Sequence, residues 1–154
     1  MSSSLPEYIF SGFYFKLVFL GESGTADAAF QEVSGLSKEI STEEVTWGGE
    51  NRFKYRLPTI PKYQNLLLKR GVTNSESGLR DWCNQTLDGG LGEPIQTKDL
   101  QLLLLNEQGV ACMQWTVHKA YPVKWQTSEL NSEKNALLIE TIELSFQYFE
   151  AEVS

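Results

Sequence analysis

At 154 residues, with 41% hydrophobic and 21% charged side chains, the chain is one domain's length. It can bury roughly 68–70% of its unfolded surface without staples and is too apolar for global disorder. A formal net charge of −7 argues against a chain whose main role is gripping nucleic-acid phosphates, since that affinity comes from clustered Lys and Arg. Cys83 and Cys112 lie in no CxxC pair and beside no histidine, so neither a zinc site nor an oxidising compartment is implied.

Residues 1–12 are Ser-rich, with Pro6 and Gly12, and read as an arm before the first strand. Tyr8, Ile9 and Phe10 give that arm an apolar patch suited to docking on a neighbour. The opening residues lack a basic region followed by an apolar core, and no stretch approaches 18 apolar residues, so neither a secretory signal nor a membrane span is expected. From Phe13, the run FYFKLVFLG alternates as a strand, with Phe13, Phe15, Leu17 and Phe19 on its buried face. Gly21 to Ala29 reads as a loop, and Phe30 to Ile40 as a strand interrupted at Ser34-Gly35.

The stretch Glu44 to Gly71 organises the chain. It contains a turn signal at Gly48-Gly49, an alternating run from Arg52 to Leu57, breaks at Pro58 and Pro61, and the apolar run Leu66-Leu67-Leu68. The pattern predicts two strands joined by a proline-punctuated connection. In the first, Phe53, Tyr55 and Leu57 share one face and Arg52, Lys54 and Arg56 the other. A row of three cations is either a solvated, aggregation-guarded edge or a face that meets an acidic partner.

After Gly71 the period changes. Ser75 or Ser77 can cap a helix whose face carries Leu79, Trp82, Cys83 and Leu87, and Asp88-Gly89-Gly90 stops it. Residues 91–97 form a connection, Asp99 to Asn106 a strand apolar on both faces, and Asn106 to Gly109 a turn into a partner strand carrying Met113, Trp115 and Val117. His118 follows on the more polar face, and Pro122 marks a kink or strand start. Asn131 to Asn135 is a polar turn. Ala136 to Phe149 reads as one long closing strand, its face of Thr141, Glu143, Ser145 and Gln147 opposite Ile142, Leu144, Phe146 and Tyr148.

These elements predict a mainly β domain, a sandwich or small barrel of about six to eight strands, with one α-helix packed on it. No Ser-His-Asp set, phosphate-binding glycine loop, HExxH or EF-hand spacing occurs. A lone histidine without a carboxylate cluster beside it in sequence does not make a catalytic site. The expectation is a non-enzyme without cofactor or metal whose chemistry is association, because strands apolar beyond one face need cover from another subunit. A monomeric lipocalin-like or jelly-roll binding module is the alternative from another class.

GGEN at 48–51, Leu57-Pro58, Tyr63 with Asn65-Leu66, and Leu68-Lys69-Arg70-Gly71 follow one another as in the inner-tube proteins of contractile injection systems. FQEVSGL at 30–36, AYPVKW at 120–125 and ETIELSFQYF at 140–149 extend the likeness from Phe13 to Phe149. The chain thus resembles the phage tail tube family, related to the ring proteins of type VI secretion. The resemblance implies an arm (1–12), a single tube domain (13–150) and a short C-terminal tail (151–154). It also implies hexameric rings stacking into a hollow shaft, or, in the runner-up reading, a tube-initiator or baseplate-adjacent ring. Implied partners are further copies of the chain, a sheath protein, baseplate or spike and tube-terminator proteins, and effector or DNA cargo in the lumen. Assembly is expected in the cytoplasm, with later residence in a phage tail or phage-tail-like particle.

Carried onto this sequence, the subunit and ring contacts fall on Trp47, Glu50, Arg52, Lys54 and Arg56 of the Thr46–Leu57 hairpin, with Tyr8 and Phe10 of the arm. Glu43, Glu44, Glu140 and Glu143 are the acids expected to meet the hairpin's cations. The lumen wall falls on Thr141, Glu143, Ser145 and Gln147, an ordinary solvated outer face being the other reading of that row.

Overall fold

A computed structural model describes residues 12–22, 26–46, 54–72, 76–128 and 138–153. The first strands are β1 (Tyr14–Phe19), β2 (Ala26–Phe30), β3 (Glu32–Ser34) and β4 (Lys38–Glu39). Next come β5 (Thr42–Thr46), β6 (Lys54–Pro58), β7 (Lys62–Tyr63) and β8 (Leu66–Gly71). The helix α1 (Gly78–Asp88) precedes β9 (Lys98–Leu105), β10 (Ala111–Thr127), β11 (Ile139–Ser145) and β12 (Tyr148–Val153). The main sheet runs β2-β1-β9-β10-β11-β8-β3, with β12 also on β10, and its described pairings are antiparallel.

That sheet closes on itself. Residues 26–34 pair with β1 through β2 and with β8 through β3, and between them the Gln31 N–H donates to the Lys69 carbonyl at 2.9 Å. The mainly β barrel with one helix is thus as expected. Gly21 to Ala29 is not all loop, however: β2 begins at Ala26, inside a run of alanines with weak strand propensity. Pairing with β1 and the buried partners of Asp27 override that local preference. The 30–40 strand breaks where expected, because Gly35 has φ +94° and a Cβ there would collide with the Asn65 carbonyl.

The core follows the strand alternation. Leu17 and Phe19, Leu66 and Leu68, Leu100 and Leu102, Trp115 and Val117, and Ile142 and Leu144 are all buried. Helix α1 packs on β10 and β2, inserting Leu79, Trp82 and Cys83 into this interior. Trp82 meets the Phe19 ring edge-on at 5.7 Å and donates its indole N–H to the Gln96 carbonyl at 2.9 Å. Ser77 is the N-cap, one of the two serines anticipated, and Leu87 differs from expectation in being 41% exposed.

Two long-strand expectations change. β10 continues for 17 residues through Pro122 rather than starting there. It absorbs the irregularity in bulges, one at Lys119, whose φ is +57° and whose N–H is held by Asp99 Oδ1 at 2.9 Å. The closing stretch is two strands, not one: β11 ends at Ser145, and β12 starts at Tyr148 on a different segment of β10. The division comes where the Gln147 N–H bonds the His118 carbonyl and Phe146 packs edge-on against Tyr63 and Phe149. Ala151 to Val153, expected as a tail, are strand residues paired with Met113 to Trp115. The Asn131 to Asn135 turn lies outside the described residues.

Candidate assembly surfaces

The hairpin expected around Thr46–Leu57 forms: β6 folds back on β5 with Glu44 opposite Arg56 and Val45 opposite Tyr55, while β8, beyond the proline-punctuated connection, enters the barrel between β11 and β3. The base of the hairpin is pinned by Ser41 and Thr59. The Thr59 N–H donates to the Ser41 carbonyl at 2.8 Å, and the two hydroxyls lie 2.8 Å apart. Beyond that pin, β5 and β6 form a separate two-stranded sheet. Tyr55 and Leu57, which a single buried face would cover, are 55% and 51% exposed, and Ile60 beside them is 83% exposed. Isolated two-stranded ribbons are marginal in water, so an outlying hairpin with bare apolar side chains is built to be covered.

Of the residues expected on this surface, Arg56 is exposed, and Lys54 opens β6 opposite Thr46. Trp47, Glu50, Arg52, Tyr8 and Phe10 lie outside the described residues. Of the four acids expected to pair with the cations, Glu140 cannot reach a second copy, being 1% exposed and bonded to Arg80 at 2.7 Å within the same chain. Glu43 and Glu44 sit on the hairpin itself, and Glu143 accepts from Asn65 at 2.8 Å.

Thr141, Glu143 and Ser145 share the face of β11 turned away from Glu140, Ile142 and Leu144 and are half-buried; Gln147 is exposed beyond the end of that strand. On this side Glu143 lies opposite Leu67 and Lys124, and Thr141 opposite Lys69 and Gln126. The face is thus polar with both signs present rather than simply acidic.

Beneath these surfaces lies a buried ionic group that sequence reasoning missed. Arg70 ends the inner row of β8 and Glu140 that of β11, where alternation calls for apolar residues. Arg70 donates to Asp27 Oδ1 at 2.9 Å and to Ser77 Oγ at 2.7 Å, and its guanidinium lies 4.7 Å from the Phe30 ring centre. Ser77 donates to Asp27 at 2.5 Å, while Asp27 Oδ2 accepts the Leu79 N–H at 3.0 Å. Arg80 completes the set, its guanidinium held above its ordinary pKa chiefly by the hydrogen bond to Glu140. Two carboxylates and two guanidiniums balance, as buried charges must. The group fixes the first turn of α1 to β2, β8 and β11. The one available signal was the appearance of an Arg and a Glu at inward positions of otherwise apolar strands.

His118 does have carboxylate neighbours, Glu150 and Asp99, which lie far from it along the sequence and are brought beside it by strand pairing. Its Nε2 is 3.0 Å from Glu150 and its Nδ1 4.0 Å from Asp99, and the ring stacks on Tyr148 at 4.3 Å. The arrangement ties β12 to β10. Among the described residues no cluster of His, Cys, Asp or Glu is arranged to hold a metal, and no helix is long and apolar enough to cross a membrane.

A closed barrel with a separate hairpin whose Tyr55 and Leu57 are exposed presents the kind of surface that association with another chain covers. The family model for the T4-like virus tail tube protein gp19 matches residues 11–150, and the chain belongs to that family. Among solved structures, a chain of the anti-feeding prophage baseplate is similar with 29% identity and a TM-score of 0.74, covering 99% of this chain and 98% of that one. A chain of the sheath-tube complex of the extracellular contractile injection system PVC shares the fold at 20% identity and a TM-score of 0.71, covering 99% and 100%. Hcp1 from Salmonella typhimurium shares it more distantly, at 14% identity and 0.56, covering 92% and 87%. No curated protein matches the chain.

Proposed function

We propose that this chain is the repeating subunit of the inner tube of a contractile injection particle. Six copies close into a ring, and rings stack into the hollow shaft that sheath contraction drives outward. The observation that carries the reading is the tail tube family match over residues 11–150, on a barrel whose hairpin leaves Tyr55 and Leu57 bare in the single subunit. Such a subunit works by association and not by catalysis.

In this reading the tube domain runs from residue 13 through the end of β12, and residues 1–12 are an arm. The contacts between copies are made by Trp47, Glu50, Arg52, Lys54 and Arg56, with Tyr8 and Phe10 of the arm. Thr141, Glu143, Ser145 and Gln147 face the lumen, where effector or DNA cargo passes. Sheath, baseplate or spike, and terminator proteins are the other partners. The particle assembles in the cytoplasm before release. A tube-initiator ring is the second reading, favoured by the likeness to a chain of a baseplate structure.

Negative-stain electron microscopy with light scattering on the purified protein tests the proposal. Rings with a central hole, or stacks of them, are the expected outcome, and Arg52→Glu with Arg56→Glu should abolish them without unfolding the subunit. A protein that stays monomeric at every concentration and on its cognate baseplate would refute it.

A further inference from the structure

β12 is hydrogen-bonded to β10 along one side, and among the described residues its other edge has no partner. Open edges are templates for another chain, and folded proteins usually blunt them with Lys, Pro or a bulge. YFEAEV contains neither residue, and its pairing with β10 runs without a register shift. Alternation puts Glu150 and Glu152 on one face and Phe149, Ala151 and Val153 on the other. Phe149 is buried under Tyr63 and Lys38, but Val153 is 80% exposed. Contacts with His118 at 3.0 Å and Gln114 at 2.8 Å hold the two carboxylates along the strand.

β6 is a second open edge, paired among the described residues with β5 alone; Lys54, Arg56 and the terminal Pro58 guard it, and the cations repel like-charged strands but not an acidic one. Because the Thr59 N–H bonds the Ser41 carbonyl, the hydrogen-bonded pairs of the hairpin continue through Glu43/Leu57 and Val45/Tyr55. The backbone groups of Arg56 therefore point away from β5, toward the open edge. The order Lys54-Tyr55-Arg56-Leu57 alternates cation and apolar residue, as Glu150-Ala151-Glu152-Val153 alternates acid and apolar residue.

We propose that β6 of one copy adds to the free edge of β12 of a second copy. The cations of β6 then meet Glu150 and Glu152, and Tyr55 covers Ala151. The inference rests on the reading of the chain as a self-assembling tube subunit and names the strands that join the copies. Opposite charges across a strand pair are favourable and like charges unfavourable, and this rule decides among the pairings of these edges. β12 against β12 sets Glu against Glu, β6 against β6 sets cation against cation, and β5 brings Glu43 and Glu44 to β12. The pairing of β6 with β12 is matched. Its two sides are different surfaces, so the contact is heterologous and propagates into a ring or filament instead of closing as a dimer.

The test uses the full chain with Cys112→Ser, to remove the half-buried thiol, and with Tyr55→Cys and Ala151→Cys together. These two positions oppose each other whether the strands run parallel or antiparallel with their charges in register. Mild oxidation of assembled protein should give a ladder of covalent multimers on a denaturing gel, while either cysteine alone stays monomeric. In a second arm, Glu150→Lys with Glu152→Lys should raise the concentration needed for assembly at least tenfold, and adding Lys54→Glu with Arg56→Glu should restore it. Circular dichroism checks that each variant is folded. Rings that form without a covalent ladder, with the one-sided reversal assembling as well as wild type, overturn the strand pairing and leave the tube reading standing. A wild-type protein that forms no ring under any condition, on its baseplate included, overturns the tube reading and the pairing with it.

Discussion

Arg70 Nη1 lies 2.9 Å from Asp27 Oδ1, with the two side chains only 5% and 4% exposed, so the tie between β8 and β2 is a charge pair removed from water. Such a pair is costly to bury and costlier to break. Arg70→Met would leave the buried Asp27 carboxylate without its cation while Glu140 keeps Arg80, and should destabilise the subunit by about 3–5 kcal/mol in a urea titration. Adding Asp27→Asn restores the charge balance, with Glu140 still on Arg80, and should recover a large part of that loss. A double variant as unstable as the sum of the two singles would show that charge balance is not what the group provides.

Cys83 and Cys112 should differ sharply in reactivity. Burial, reinforced by the nearby Glu140 carboxylate, pushes the Cys83 thiol up to about 12. Thiolate is the reacting species, so an aromatic disulfide reagent at pH 8 should titrate one thiol in the native protein and two in denaturant. The linkage has a definite sign. A thiol with a raised folded pKa binds more protons folded than unfolded above its ordinary value of 9.0, so its contribution is intact below that pH and is lost as pH rises toward about 12. Cys83→Ala, compared with wild type across that window, should lose stability less steeply.

Gly35 should tolerate no side chain. With φ +94° and the Asn65 carbonyl in the space a Cβ would occupy, Gly35→Ala carries both backbone strain and a clash. Strain alone costs about 1–3 kcal/mol. The clash separates β3 from the start of β8, so the urea midpoint should fall by more than Gly21→Ala lowers it, where φ is also positive but the surrounding space is open.

Ser145→Cys distinguishes a lumen wall from an outer face. On the lumen reading, a maleimide too large for a capped tube should label the cysteine in dispersed subunits and leave it unmodified in tubes closed at both ends. Equal labelling in both states would return Thr141, Glu143 and Ser145 to an ordinary solvated face.

Much of the architecture was legible in the sequence because it is local or periodic. Two-residue alternation located β1, β6, β8, β9 and β10, and the serine cap with Leu79, Trp82 and Cys83 located the helix. Order and spacing of short motifs located the family, which residues 11–150 bear out. Only the tertiary structure decided the pairings. Strand pattern records which side chains share a face but not which strand lies alongside, so β6 could as well have joined β8 as β5. The same limit merged β11 with β12, whose separation depends on the meeting of Tyr63, Phe146 and Phe149. Asp27, Arg70, Ser77, Arg80 and Glu140 read as unrelated polar residues along the chain. They become one buried, charge-balanced group when barrel closure and helix docking bring four elements together, and no local rule carries that information.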